Sequence, residues 1–259
     1  MRFLIILLVL GVSLGAPAVT HAQIVNVQNA LAKPPEHDGV IGQLEAKLDW
    51  REGNNQLLDV GATASVIAKR GRMLGLAIAR AEYGRGRDDT FKRRTFEHLR
   101  MRVTLDCRWK WEAFGQHELD RFRRLTVRAL AGTGPALQVL ETKPVSVLAG
   151  AAYMFEYEQL DERSGTTDSG DRTVYHRASV YLTGTEHIGE TAAVTQTFYI
   201  QPRLAEPSDL RVFGELSITT KISKHFALTD AFIVTYDSRP PDGIRRYDTQ
   251  LRVALLLTL

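Results

Sequence analysis

Along most of the chain, apolar and polar side chains alternate with a period of two, the spacing that sends successive residues to opposite faces of a β-strand. In 43–51, Leu44, Ala46, Leu48 and Trp50 alternate with Gln43, Glu45, Lys47, Asp49 and Arg51. Leu58, Val60, Ala62, Ala64, Val66 and Ala68 form a second row, and Leu99, Met101, Val103 and Leu105 a third. The same rhythm runs through 108–116, 124–131 and 210–222. The last segment sets Leu251, Val253, Leu255, Leu257 and Leu259 against Gln250, Arg252 and Thr258. No 3.6-residue period persists over comparable lengths. Glu112–Leu130 reads as helix by propensity, but its Trp109, Trp111, Ala113 and Leu125, Val127, Ala129 rows alternate as strands do. About twelve strands are predicted, at roughly 40–52, 56–69, 72–84, 94–106, 108–117, 123–140, 144–158, 172–184, 190–203, 209–222, 225–237 and 245–259.

Two rows break the rhythm. In 72–82 Arg80 and Glu82 continue the row of Leu74, Leu76 and Ile78, and in 226–236 Asp230 interrupts Phe226, Leu228, Phe232, Val234 and Tyr236. Either a β-bulge resets the register there or the strand limits differ. The connections also alternate. Lys69–Arg72, Asp106–Arg108, Glu141–Pro144, Glu186–Gly189 and Ser223–Lys224 are short, whereas those on the other side, such as Gly84–Arg93 and Gln159–Asp171, are mostly longer and more polar. A transmembrane barrel predicts this, with tight periplasmic turns, longer outer loops and both termini on the periplasmic side.

The first 22 residues read as a separate object. Arg2 precedes the apolar run Phe3–Leu10, extended by Gly11–Gly15, and small residues Thr20 and Ala22 occupy the positions a signal peptidase reads. The order predicts a cleaved secretory signal, with a mature chain beginning near Gln23. Residues 23–38, with Pro34-Pro35, form a polar periplasmic leader that is unstructured or holds a short helix at Val27–Ala32. Residues 39–259 form the barrel.

Alternation does not say which face is inside, so the charges decide. Twelve strands closing around apolar side chains alone leave a space too wide to fill, because diameter grows with strand number. With the charged rows inward, Glu45, Lys47, Asp49, Arg100, Arg102, Lys110, Glu112, Arg124, Arg128, Arg177, Arg211, Glu215 and Arg252 line a lumen, and the apolar rows meet lipid. Trp50, Tyr83, Trp109, Trp111, Tyr157 and Tyr236 near strand ends suit the headgroup level. The fold class predicted is an all-β, single transmembrane antiparallel up-and-down β-barrel. Leu251, Val253, Leu255, Leu257 and Leu259 form a C-terminal insertion signal for the barrel-assembly machinery, although Leu259 stands where many such barrels end in an aromatic residue.

Composition narrows the chemistry. Lys and Arg total 33 against 30 Asp and Glu in 259 residues, too even a balance for a nucleic-acid partner. The single Cys107 excludes an internal disulfide and any multi-cysteine metal site. A barrel acyl hydrolase would set a serine and a histidine two apart on one strand face. Only Ser223-Lys224-His225 has that spacing, in a predicted turn, and His176 and Ser179 fall on opposite faces. The seven histidines form no ligand pair at metal spacing, and Asp168-Ser169-Gly170-Asp171 is a fragment of a calcium loop without its remaining ligands. No metal or cofactor is expected. Mixed signs in the lumen argue against strong charge selectivity, which needs a ring of one sign.

Several short stretches resemble the salt-induced outer-membrane protein family, a group of bacterial outer-membrane proteins of unknown function. They are Arg51-Glu52-Gly53-Asn54-Asn55, Gly115-Gln116-His117-Glu118-Leu119-Asp120, Gly132 and Gly134, His176-Arg177-Ala178-Ser179, and Tyr236-Asp237-Ser238-Arg239-Pro240-Pro241 with Asp248. The resemblance implies export and a barrel, and brings no activity, substrate or cofactor. The expected function is a non-enzymatic outer-membrane barrel with a charged lumen, structural or a small passive pore for ions or solutes, linked to envelope or osmotic stress. Its partners would be outer-membrane lipid and the barrel-assembly machinery. A lipid-acting barrel enzyme and a soluble periplasmic binding protein are the alternatives.

Overall fold

The computed structural model describes residues 26–31, 35, 37–51, 57–86 and 90–258. Twelve antiparallel strands form one closed barrel: β1 (Gly39–Arg51), β2 (Leu57–Arg70), β3 (Met73–Gly86), β4 (Thr90–Thr104), β5 (Trp109–Asp120), β6 (Leu125–Glu141), β7 (Val145–Leu160), β8 (Arg172–Ile188), β9 (Ala192–Arg203), β10 (Glu206–Lys221), β11 (Phe226–Asp237) and β12 (Tyr247–Thr258). Each strand pairs with its neighbours in sequence, and β12 returns to β1. One end carries the tight turns; at Gly71, φ of +55° is a conformation only glycine adopts freely. The other end carries the long connections, 161–171 and 238–246 among them. The closing seam pairs Gln43–Ala46 with Leu255–Thr258. Ala46 and Leu255 are Cα partners across it, and such partners lie about 4.5–5.5 Å apart. A disulfide is therefore expected to form between cysteines placed at 46 and 255 in a Cys107→Ser background. Its formation, read as a heat-resistant compact band on a gel, checks the closure.

The apolar rows face outward. Leu99, Val180, Ile200, Leu216, Leu251, Val253 and Leu255 are all exposed on the outer wall, as are Tyr83, Trp109, Trp111 and Tyr236 near the strand ends. The Trp50 side chain and Leu259 lie outside the described residues. Glu112–Leu130 is two strands joined by a 3-10 turn (Arg121–Arg123) that Asp120 caps with its side chain. The two irregular rows are resolved without a bulge. The register of β11 is continuous on both sides, so Asp230 faces outward between Ile218 and Val253. The β3 register against β2 is also continuous, and Leu76 and Ile78 point inward and are buried.

That inward apolar row has a partner. A four-residue helix, α1 (Gln28–Leu31), lies inside the barrel, and Val27 and Leu31 pack with Ile67, Leu76, Ile78 and Phe96. The leader thus supplies part of the core. Nearby, Tyr181, Tyr199 and Phe213 cluster with Leu148, Ala231 and Ile233 across the interior. Gly150 makes room for them, since a Cβ there would collide with the Tyr181 ring. A lumen of twelve strands is wider than side chains of ordinary size can fill. Here long arginines, tyrosines and the inserted segment fill much of it.

Candidate functional site: the barrel interior

Toward the long-loop end the inner wall is ionic and buried. Arg94 of β4 lies 3.8 Å from Glu82 of β3 and 2.7 Å from Glu118 of β5. Arg128 of β6 lies 3.8 Å from Glu118 and 3.2 Å from Glu156 of β7. Arg211 of β10 reaches past β8 and β9 to Glu156, and also contacts Glu158 at 3.1 Å and Asp237 of β11 at 2.9 Å. Arg177 of β8 joins Glu156 (3.3 Å) to Asp209 of β10 (2.8 Å). The relay runs from β3 to β11 and crosses the lumen on the Arg211 side chain. Charges taken out of water in this way are held only because each meets at least one opposite charge.

A second crossing lies deeper. Glu112 of β5 accepts from Arg100 (2.8 Å) and Arg102 (2.6 Å) of β4. It also accepts the Tyr181 hydroxyl of β8 at 2.8 Å, past β6 and β7. Gln28 of α1 joins in, donating to the Tyr199 hydroxyl at 3.1 Å and accepting from Arg102 at 3.1 Å. Below these crossings, toward the short-turn end, a cavity of about 150 Å³ remains among strands β1–β3 and β8–β12, with Asn26 at its wall.

The residues singled out in the sequence are placed as follows. Arg100, Arg102, Glu112, Arg128, Arg177 and Arg211 meet in the two networks above. Lys110 bonds Gln138, and Lys47 pairs with Asp59 at 2.6 Å. Asp49 stands on the same inner row of β1. Glu45 and Arg252 line the cavity, and Glu215 lies 3.8 Å from Arg252. Arg124 stands apart, because β6 begins only at Leu125. Arg124 caps the 3-10 turn with φ of 62°, buried beneath the long loops. Ser223 accepts the turn N–H groups of His225 and Phe226, and the His225 ring sits 3.2 Å from the Thr258 carbonyl.

The loops close over the ionic end through Arg124. It donates to Asp161 at 2.9 Å, to Thr166 at 3.0 Å and to Asp168. Asp168 accepts the Asp242 N–H at 2.8 Å, and Asp242 accepts the Thr167 N–H at 2.8 Å, stitching 161–171 to 238–246. Burial raises the Asp168 carboxyl, but the Arg124 and Asp242 hydrogen bonds outweigh it and hold it below 3.8. The Thr167 hydroxyl and N–H likewise lower Asp242. A depressed carboxyl stabilises above its unfolded value and loses that contribution as pH falls through the folded one. The two loops should therefore loosen together as pH drops below 3.8. Hydrogen exchange corrected for intrinsic rates would show it. Arg124→Gly, which keeps the positive φ comfortable, should loosen the loops at neutral pH and leave the barrel's melting unchanged.

A closed up-and-down barrel with an apolar outer wall and an ionic interior is the fold of outer-membrane β-barrels, and one solved porin shares it. The NanC porin superposes with a TM-score of 0.50 at 8% identity, covering 84% of this chain and 97% of its own. The translocator domain of the autotransporter NalP from Neisseria meningitidis matches with a TM-score of 0.46 at 12% identity, covering 90% of this chain and 91% of its own. The KdgM porin gives 0.43 at 8%, covering 85% and 98%. The chain belongs to the DUF481 family of proteins of unknown function, whose family model matches residues 44–259. No curated protein matches the sequence.

Proposed function

We propose that the protein is a non-enzymatic outer-membrane barrel whose charged lumen is a narrow passage for small ions or solutes, held shut in the state described here. The supporting observation is the crossing of the lumen by contacts between non-adjacent strands, Arg211 to Glu156 and Tyr181 to Glu112. The chain is exported by its first 22 residues, inserted through the C-terminal row and seated in lipid by its outer wall. The resemblance to salt-induced proteins adds a part in osmotic stress, which survival of a deletion strain after osmotic shock would test.

Planar-bilayer recording tests the passage. Wild-type protein is expected to insert with little current and rare small openings. Arg211→Ala removes the side chain that, among the described residues, spans β10 to β7, while leaving Glu156 with Arg128 and Arg177; combined with Tyr181→Ala, which removes the second crossing, it should raise open probability severalfold. A large steady wild-type current would overturn the closed state. Silence in both proteins would leave a purely structural barrel.

A further inference from the structure

We infer that the cavity at the short-turn end of the lumen is a binding site for a small oxyanion of the carboxylate or phosphate class. Its wall brings together two guanidinium groups from strands that are not neighbours, Arg80 of β3 and Arg252 of β12, against one carboxylate, Glu45. The lining therefore sets two guanidiniums against one carboxylate, with Glu215 just outside it, 3.8 Å from Arg252.

The donors on Arg252 and Asn26 are only partly engaged. Arg80 donates from Nε to the Thr63 hydroxyl at 3.1 Å. Arg252 approaches Glu215 no closer than 3.8 Å through Nη2, and its buried Nε has no hydrogen-bond partner among the described residues. The buried Nδ2 of Asn26 is in the same position. Both residues line the cavity. A buried donor without an acceptor costs about 1–3 kcal/mol, more when charged. An acceptor that also carries negative charge answers both the hydrogen-bonding need and the guanidiniums of the lining.

Size and remaining lining refine the class. A cavity of about 150 Å³ is large enough for a six-carbon ring, and so for an anion of four to six heavy atoms. Threonine hydroxyls at 195, 219 and 229 supply further hydrogen-bonding groups, and Thr219 and Thr229 already meet at 3.2 Å. An apolar guest would strand these groups; a hydroxylated or plain oxyanion would not.

The inference rests on the proposed passage only for the route by which the ligand arrives. Binding needs access from one end, not conduction. The test uses the purified exported chain in detergent micelles at pH 7.5 and fixed ionic strength. Sodium phosphate, sodium acetate and glycerol are each titrated against sodium chloride, with thermal unfolding as the readout. Phosphate or acetate, or both, should raise the melting temperature saturably, and which of them does so distinguishes the sources. Glycerol should not raise it. Arg252→Gln should weaken the effect at least tenfold, and Asn26→Ala less. Strand circular dichroism establishes that each variant folds, and Asn26→Ala carries the test if Arg252→Gln does not. No saturable anion effect in the wild type would overturn the site. So would an equal effect in folded Arg252→Gln, or glycerol acting as well as the anions. Anion binding by a barrel silent in bilayers would remove the passage and leave the site; conduction without binding would do the reverse.

Discussion

Replacing Glu156 by glutamine is expected to lower the unfolding free energy by about 3–5 kcal/mol, the range for breaking a buried ion pair from one side. The substitution keeps the shape and removes only the charge. Glu156 is fully buried, with Arg128 (3.2 Å) and Arg211 on one carboxylate oxygen and Arg177 (3.3 Å) on the other. Without it three guanidiniums converge on a neutral amide. The surrounding carboxylates, Glu118, Glu158, Asp209 and Asp237, are already engaged with one or more of the same arginines. Glu158→Gln should cost less, because among the described residues Glu158 has a single ion pair, to Arg211 at 3.1 Å. Urea unfolding of the barrel in lipid vesicles, followed by tryptophan fluorescence, gives both values. A loss below about 1 kcal/mol for Glu156→Gln would mean that water solvates the arginines, as it does for exposed pairs. The lumen would then be wet at the level where Arg211 now closes it.

Much of this was legible in the period-two pattern, and the reason is geometric. A strand sends alternate residues to opposite sides whatever it packs against, so the rows through Leu99 and Arg100, or Val253 and Arg252, separate without knowledge of the third dimension. Extending the same parity also finds members of the network that charge inventory passed over: Arg94 and His98 on the row of Arg100, Glu118 and Asp120 on the row of Glu112, and Asp209 on the row of Arg211. What parity cannot supply is the partner across the lumen. That Arg211 meets Glu156, three strands away, depends on barrel curvature and side-chain reach. The inward apolar row Leu74, Leu76 and Ile78 looked like an error of register because its partner, Val27 and Leu31, lies in a leader with no strand pattern at all. Arg124 misled for a different reason. It continues the parity of Arg128 on paper, but the pairing of β6 shifts register near its start, and the residue turns into the loop.

The outer wall yields the other large effect. Val180 lies midway along β8, exposed outward, with Ile200 of β9 and Ala151 of β7 beside it in register. An arginine at such a depth in lipid costs about 2–4 kcal/mol, because its charge must leave water or drag water into the hydrocarbon. Val180→Arg is therefore expected to lower unfolding free energy by about that amount in vesicles, and to reduce the fraction recovered in the outer membrane. Val180→Leu, which changes volume but not polarity, should change neither. The comparison separates environments that alternation leaves equivalent. Were this wall bathed in water, the arginine would be neutral or would improve solubility, since surface substitutions seldom exceed about 0.5 kcal/mol. An unchanged Val180→Arg barrel would therefore remove lipid from the outer wall and with it the membrane-spanning reading, while the closed interior around Glu156 would stand on its own contacts.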